Sequence, residues 1–356
     1  MASHDHFMEQ YHVALCSEIQ KSAQPHYKQY PIKTLFLGGG TPSTYPENLL
    51  LDMFGILNKV FAFESDAEIT IEVNPGTVTR EKMNVWKECG INRLSIGVQS
   101  LNDEVLKKLN RHQKASDVVW LIEHASDVFP RLSIDLILGL PGISEAEWKK
   151  LILTVVKWPI KHLSVYFLTV HEDTPLYFKV QTNRVTLVPD DTMIDLYTWT
   201  RNTLEDAGFI QYEISNFAVP GFESIHNKNY WNHSTYKGFG LGACSFDGES
   251  RFQNIKNLTT YCKNIEESQD VTLSYETLTQ QQLWLEKLML GLRQRQGIKL
   301  DLLTEHLSPL QQEKFAHTIA VLCTAALVEC ADNEARLTPA GLALENEVIL
   351  KLSMIL

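Results

Sequence analysis

The chain has 356 residues, 44% of them hydrophobic and 21% charged, with a formal net charge of −11 and a pI near 5.6. That length allows a barrel-sized domain plus a smaller one, and the acidic balance argues against a nucleic-acid partner held chiefly through phosphates. No apolar run reaches membrane-spanning length, and the opening MASHDHFMEQ lacks the basic and apolar regions of a signal peptide. The expected location is cytoplasmic, with membrane association at most peripheral. The six cysteines, Cys16, Cys89, Cys244, Cys262, Cys323 and Cys330, are scattered without a CxxC spacing, so they read as small buried hydrophobes.

In chain order, helical spacing of Phe7, Tyr11, Val13, Ala14 and Ile19 predicts a helix over about residues 5–24. The apolar run Thr34–Leu37 predicts a strand that ends in Gly38, Gly39, Gly40, Thr41 and Pro42. Three glycines there allow positive φ and close backbone approach, and the freed N–H groups can hold an amine, a carboxylate or a phosphate group. A helix from Pro46 follows. Strands are then expected at 67–73, 93–98, 132–138 and 162–168, and helices at 79–90, 103–109, 116–129, 145–157 and 190–207. Strand-then-helix units with short loops predict a parallel α/β sheet, whose site lies at the C-terminal ends of the strands.

Those ends carry polar residues one after another: Gly38–Gly40 with Thr41, then Glu72 and Asn74, Gln99, Asp135 and Thr169, with Arg111 one helix beyond Gln99. Each has a local reading too, since Asn74-Pro75 is turn chemistry and Gln99 can cap a helix. Asp135 is the strongest, because a carboxylate between Ile134 and Leu136 in a buried strand needs a partner. Together the strand ends point to one shared pocket.

Further along, His226, Asn227, Tyr230 and Trp231 form a dense polar-aromatic group, with His226 open to a structural or a ligand role. Gly238, Gly240 and Gly242 follow in a run that does not fit a dinucleotide fingerprint and reads as a close-packed loop at the barrel mouth. Beyond about residue 258, helices are expected at 275–292, 300–305, 309–323 and 339–352, with a short β-wing in LVECADNEARLTP. This winged-helix pattern, in an acidic chain, suits a protein-contact or lid module.

The ordered series GGGTP, IEVNPGT, RLSIGVQS, LNRHQ, DLILGLPG, HLSVYFLT, QYEISNFAVPG and HNKNYW resembles the radical SAM proteins of the oxygen-independent coproporphyrinogen III oxidase group. GFGLGACSF and LTPAGLALENEVI resemble its heme-chaperone branch. The resemblance covers nearly the whole chain. It implies an α/β fold, a partial (β/α)6 barrel with its first strand missing, in residues 1–255, and a mostly helical winged-helix-like domain in 256–356. It also implies that Gly39, Gly40 and Thr41 hold the amino end of S-adenosylmethionine (SAM), that Glu72, Gln99, Arg111 and Asp135 line the pocket, and that Thr169 sits at its far side. Carboxylates and a glycine edge suit the ammonium and ribose of SAM, and an Arg fork suits its carboxylate.

Two functions are implied. One is heme trafficking, in which heme or a porphyrin is bound, with His226 a candidate contact, and passed to a respiratory-chain acceptor protein. The other is oxidative decarboxylation of coproporphyrinogen III by a radical SAM oxidoreductase. The HNxxYW run favours the first. The family's CxxxCxxC loop, whose three thiolates hold a [4Fe–4S] cluster, does not occur in this sequence, so no metal ligand is assigned. Either the natural protein starts upstream of Met1 or the chain is a cluster-less pseudoenzyme. Retention of every matched SAM position, and the sheet edge that loss of a first strand would expose, favour an upstream start. Cys244 also departs from the family, which has His in GAHS.

Overall fold

A computed structural model describes residues 2–23, 30–172 and 174–355. The first half runs α1 (Ala2–Lys21), β1 (Ile32–Leu37), α2 (Glu47–Val60), β2 (Phe63–Val73), α3 (Arg80–Glu88), β3 (Arg93–Gln99), α4 (Asp103–Lys108), α5 (Ala115–Ala125), β4 (Arg131–Leu138), α6 (Glu145–Val155) and β5 (His162–Phe167). Next come α7 (Pro175–Gln181), α8 (Asp190–Asp206), β6 (Ile210–Gln211), β7 (Asn216–Ala218), α9 (Ile225–Trp231), β8 (Cys244–Phe246), β9 (Ser250–Asn254), α10 (Leu258–Glu266) and β10 (Thr272–Thr277). The chain closes with α11 (Gln280–Leu292), β11 (Ile298–Lys299), α12 (Leu300–Thr304), α13 (Pro309–Thr324), β12 (Val328–Ala331), β13 (Glu334–Leu337), α14 (Pro339–Ala343) and α15 (Glu345–Ser353). The expected first helix is present as α1; Gln24, its expected last residue, lies outside the described residues.

The contacts divide the chain into two compact units, one of residues 33–50 and 66–224, the other of 1–32, 51–65 and 225–356. The first holds a seven-stranded sheet in the order β1-β2-β3-β4-β5-β7-β6. From β2 to β5 neighbouring strands are parallel, and β7 pairs antiparallel with both β5 and β6. In these parallel strands apolar residues recur at every second position. Leu94, Ile96 and Val98 of β3, Leu132, Ile134 and Leu136 of β4, and Leu163 and Val165 of β5 are buried on one face. The helices bury the stripes that face this side: Val118, Leu121, Ile122 and Ala125 on α5, and Trp148, Leu151, Ile152 and Val155 on α6. The indole of Trp148 also donates to Thr200 Oγ1 of α8 at 2.8 Å. The expected caps are in place: Thr79 Oγ1 accepts from Lys82 N, and Gly90 takes φ +81° past the end of α3.

The other face of the same strands is polar. Paired residues share a face, and the registers Glu72↔Ser95, Ser95↔Ser133, Gly97↔Asp135, Ser133↔His162 and Asp135↔Ser164 line polar side chains up across four strands.

In the other unit, α1 packs on α10 through Ala14, Tyr261 and Ile265. A three-stranded antiparallel sheet orders β10-β9-β8. A separate core gathers Trp284, Leu288 and Leu292 of α11 with Leu303, Phe315, Leu322, Val328, Val348 and Leu352, beside the antiparallel wing β11-β13-β12. Two boundaries differ from expectation. The helix expected over 275–292 starts at Gln280, because Thr279 and Gln282 form a capping box and Thr272–Thr277 pairs with β9 instead. The helix expected over 339–352 breaks at Leu344, whose φ of −114° leaves the helical range.

The loop that carries Gly238, Gly240 and Gly242 is close-packed, as expected. It packs on α1: Glu18 accepts Gly240 N at 2.8 Å, Asn254 Nδ2 at 2.8 Å and Tyr261 Oη at 2.6 Å. Gly240 has φ +94°, and a Cβ there would collide with Tyr11 Oη.

Candidate functional site

Gly39 stands at the end of β1 with φ +96°, and its N–H donates to Glu72 Oε2 at 3.1 Å. A Cβ on Gly38 would come within 2.6 Å of the Phe36 ring and 3.1 Å of Glu72 Cδ, whereas the Cβ positions of Gly39 and Gly40 face open space. The loop is anchored underneath by Ser43, which is fully buried. Ser43 Oγ accepts Asn74 N at 3.0 Å and bonds Thr77 Oγ1 at 2.7 Å, and Lys82 Nζ donates to the Ser43 carbonyl at 2.7 Å. Thr41 is exposed, and its carbonyl starts the turn by accepting from Thr44 N and Oγ1.

Asp135 finds the partners that its strand demanded. Ser95 Oγ donates to Asp135 Oδ2 at 3.0 Å, and Ser164 bonds the same carboxyl. Burial raises the pKa of Asp135, against the lowering effect of the two serines. Glu72 is raised too, first by burial and further by the nearby Asp135, with the Gly39 N–H opposing. The glycine edge and both carboxyls therefore meet at one end of the sheet. Next to Asp135, Tyr166 is raised by burial and by that carboxyl, and bonds Ser164 and Asn216. Deeper on the polar face, Ser133 Oγ lies 2.6 Å from His162 Nδ1, whose Nε2 lies 2.8 Å from Tyr212 Oη. Burial and Arg93 hold His162 well below the usual imidazole range.

Gln99 ends β3 in the left-handed region, φ 64°, where the register with β4 shifts, and its amide folds over Gly97. Gln113 braces this bulge by donating from Nε2 to the carbonyls of Gly97 and Val98. Arg111 is exposed just after Asn110, which takes φ 57° to end α4. Thr169 is exposed two residues past β5. Hence Gly39, Glu72 and Asp135 are joined by direct interactions, while Gln99 lies one bulge beyond Gly97, the register partner of Asp135. The sequence reading missed Ser43, Ser95, Ser164, Tyr166 and Gln113. The signal was present in RLSIGVQ and HLSVYF, where every second residue is polar or glycine.

The donor set suits a bound ammonium group. Acceptors dominate in the two carboxyls of Glu72 and Asp135, and Asn74, directly after β2, has its Oδ1 buried with no hydrogen-bond partner among the described residues. A cubane cluster does not fit in the same way. This unit contains one cysteine, Cys89, which is buried beyond α3, and a cluster needs three thiolates.

His226 belongs to α9, a helix that the sequence reading did not anticipate. Its Nε2 lies 3.0 Å from Tyr230 Oη, with the two rings edge to face at 4.9 Å, and Tyr230 in turn meets Tyr236 at 4.8 Å. Ile225 and Tyr230 are exposed beside it. Cys244 is exposed at the start of β8, its Sγ 3.6 Å from Gln253 Nε2. No helix among the described residues is long and apolar enough to cross a membrane.

A family model of the radical SAM superfamily matches residues 7–155, and one of the HemN C-terminal domain matches residues 278–344. The coproporphyrinogen III oxidase HemN of Escherichia coli, a radical SAM enzyme, superposes with a TM-score of 0.83 over 99% of this chain and 84% of its own, at 25% identity. Fold and matches together define a radical SAM protein, a partial barrel with a helical C-terminal domain. The heme chaperone HemW of Bacillus subtilis (strain 168) is 33% identical over 347 residues, 97% of this chain and 90% of its own. HemW of Synechocystis sp. (strain ATCC 27184 / PCC 6803 / Kazusa) is 34% identical over 83% of this chain and 71% of its own. The chain belongs to the HemW family.

Proposed function

We propose that this chain binds heme and S-adenosylmethionine and serves in heme trafficking. The observation that carries the reading is the likeness to a heme chaperone over 97% of the chain. In this reading Gly39, Gly40 and Thr41 receive the amino end of SAM. Glu72 and Asp135 provide charge for the ammonium and acceptors for the ribose. Arg111 offers a bidentate fork to the carboxylate, and Gln99 and Thr169 close the pocket toward the nucleoside. Residues 1–255 carry this chemistry, and residues 256–356 form the module that meets an acceptor protein, a respiratory-chain hemoprotein by family analogy. His226 contacts the heme; coordination through Nε2 requires it to leave Tyr230, and the exposed Ile225 and Tyr230 supply apolar surface for the macrocycle.

A second reading, oxygen-independent decarboxylation of coproporphyrinogen III, draws on the structural likeness to HemN. One experiment separates the two. Hemin-loaded protein is mixed with an apo-hemoprotein, and in parallel the protein is incubated anaerobically with coproporphyrinogen III, SAM and a strong reductant. The expected result is transfer of heme to the acceptor with the porphyrinogen propionates intact. Release of carbon dioxide from the propionates, without heme transfer, would establish the second reading.

A further inference from the structure

We infer that His12, Cys16 and Asp52 form a binding site for a thiophilic divalent metal ion, with Zn2+ the best fit. His12 and Cys16 stand four residues apart on α1, so their side chains leave one helix face a turn apart. Asp52 meets them from α2. His12 Nε2 lies 2.9 Å from Asp52 Oδ2, and Cys16 Sγ lies 3.7 Å from His12 Nε2. One ligand atom from each residue falls within 4.8 Å of the other two. Tetrahedral zinc, with bonds of about 2.0–2.3 Å, holds its ligand atoms roughly 3.2–3.6 Å apart. The His12–Asp52 and Cys16–His12 spacings lie within a few tenths of an ångström of that range, and the Cys16–Asp52 pair closes on an ion by side-chain rotation of the exposed Asp52.

The chemistry of the donors narrows the ion. A thiolate with an imidazole selects zinc or a similar soft ion over Mg2+ and Ca2+, which demand oxygen ligands. Three protein ligands leave a fourth position for water. His12 and Cys16 are buried, each 6% exposed, while the Asp52 side chain is 63% exposed, so an ion can enter on the Asp52 side. On binding, the Cys16 thiol gives its proton to the buffer and forms a sulfur–metal bond; no electron moves.

The test uses the full chain, stripped with a chelator and titrated with Zn2+ alone against a chromophoric competitor, with Co2+ as the spectroscopic probe. One equivalent of Zn2+ is expected, and Co2+ should show a thiolate charge-transfer band. Cys16→Ser should abolish that band and weaken Zn2+ binding at least about tenfold. Asp52→Asn, at an exposed position that leaves the fold intact, should weaken binding as well, and it decides the question if Cys16→Ser does not fold. Cys323→Ser with Cys330→Ser, which removes the thiol pair 3.7 Å apart elsewhere in this unit, should leave binding unchanged. The inference fails if the chain takes up no equivalent, if Asp52→Asn binds Zn2+ as the parent does, or if the Cys323/Cys330 variant is the one that loses it.

Discussion

Asp135 sits mid-strand between Ile134 and Leu136, held by Ser95 and Ser164 and short of water. Because burial raises its pKa, the folded state holds its proton over a range in which the unfolded chain, with a carboxyl near pH 4, has released it. Its contribution to stability is therefore most favourable below about pH 4 and is lost as pH rises through the folded-state pKa. Asp135→Asn should raise the melting temperature, by more at pH 8 than at pH 5, and lose its advantage near pH 4. Thermal melts across that range check this, and a variant no more stable at pH 8 would contradict the assignment. For the bound cation the sign is opposite. Glu72 and Asp135 are both raised, so SAM binding should strengthen as pH rises and the two carboxyls ionise. Equilibrium dialysis at pH 5 and pH 8 should show the parent gaining affinity and Asp135→Asn gaining less. Asp135's need for partners was legible from two apolar neighbours. Its actual partners were not, because Ser95 and Ser164 come from strands whose register only the folded sheet fixes.

At the scale of elements, the glycine run 238–242 shows how a local pattern acquires meaning from a distant residue. In sequence it was only a tight loop. In the fold Glu18, more than 200 positions earlier, takes hydrogen bonds from the loop, from Asn254 and from Tyr261. Glu18→Ala strips three buried donors of their acceptor and should cost about 2–4 kcal/mol, with faster amide exchange at Gly240. Calorimetry and hydrogen exchange check it, and an unchanged melt would mean that water replaces the carboxyl. The parallel strands and their helices were legible because a buried parallel sheet reads as apolar runs with turn residues between them. Strand β10 was not. Leu273 and Tyr275 look equally at home on a helix face, and Thr272–Thr277 becomes a strand only because β9 offers it an edge. The helix around His226 was hidden by its polar-aromatic composition, and its brevity made the 3.6-residue period hard to see.

At the scale of the whole unit, the sheet carries a buried ion pair on its polar face. Arg93 Nε donates to Glu68 Oε2 at 2.8 Å, with both side chains at most 2% exposed, and Arg93 Nη2 reaches the carbonyls of Phe222 and Glu223. The pair thus ties β2 and β3 to a segment about 130 residues later. Arg93→Ala leaves Glu68 buried with a lost partner and should cost about 3–5 kcal/mol, whereas Arg93→Met with Glu68→Leu should recover most of that loss. Denaturant unfolding of the single and double variants checks this. The net charge of −11 predicts weak retention on heparin even at low salt; strong retention would revive a nucleic-acid role. Family membership was legible from the order of the motifs along the chain, several of which, GGGTP, IEVNPGT, RLSIGVQS and DLILGLPG, lie at strand ends.

The central claim, that the chain carries heme, is tested most directly by an equilibrium titration of hemin into the full chain, followed in the Soret region. The account predicts saturable binding of one heme per chain, and roughly tenfold weaker binding for His226→Ala, the loss of one ligand bond to the iron. Linear, unsaturable uptake by the parent would contradict the claim, and equal affinity in His226→Ala would remove that histidine from the site.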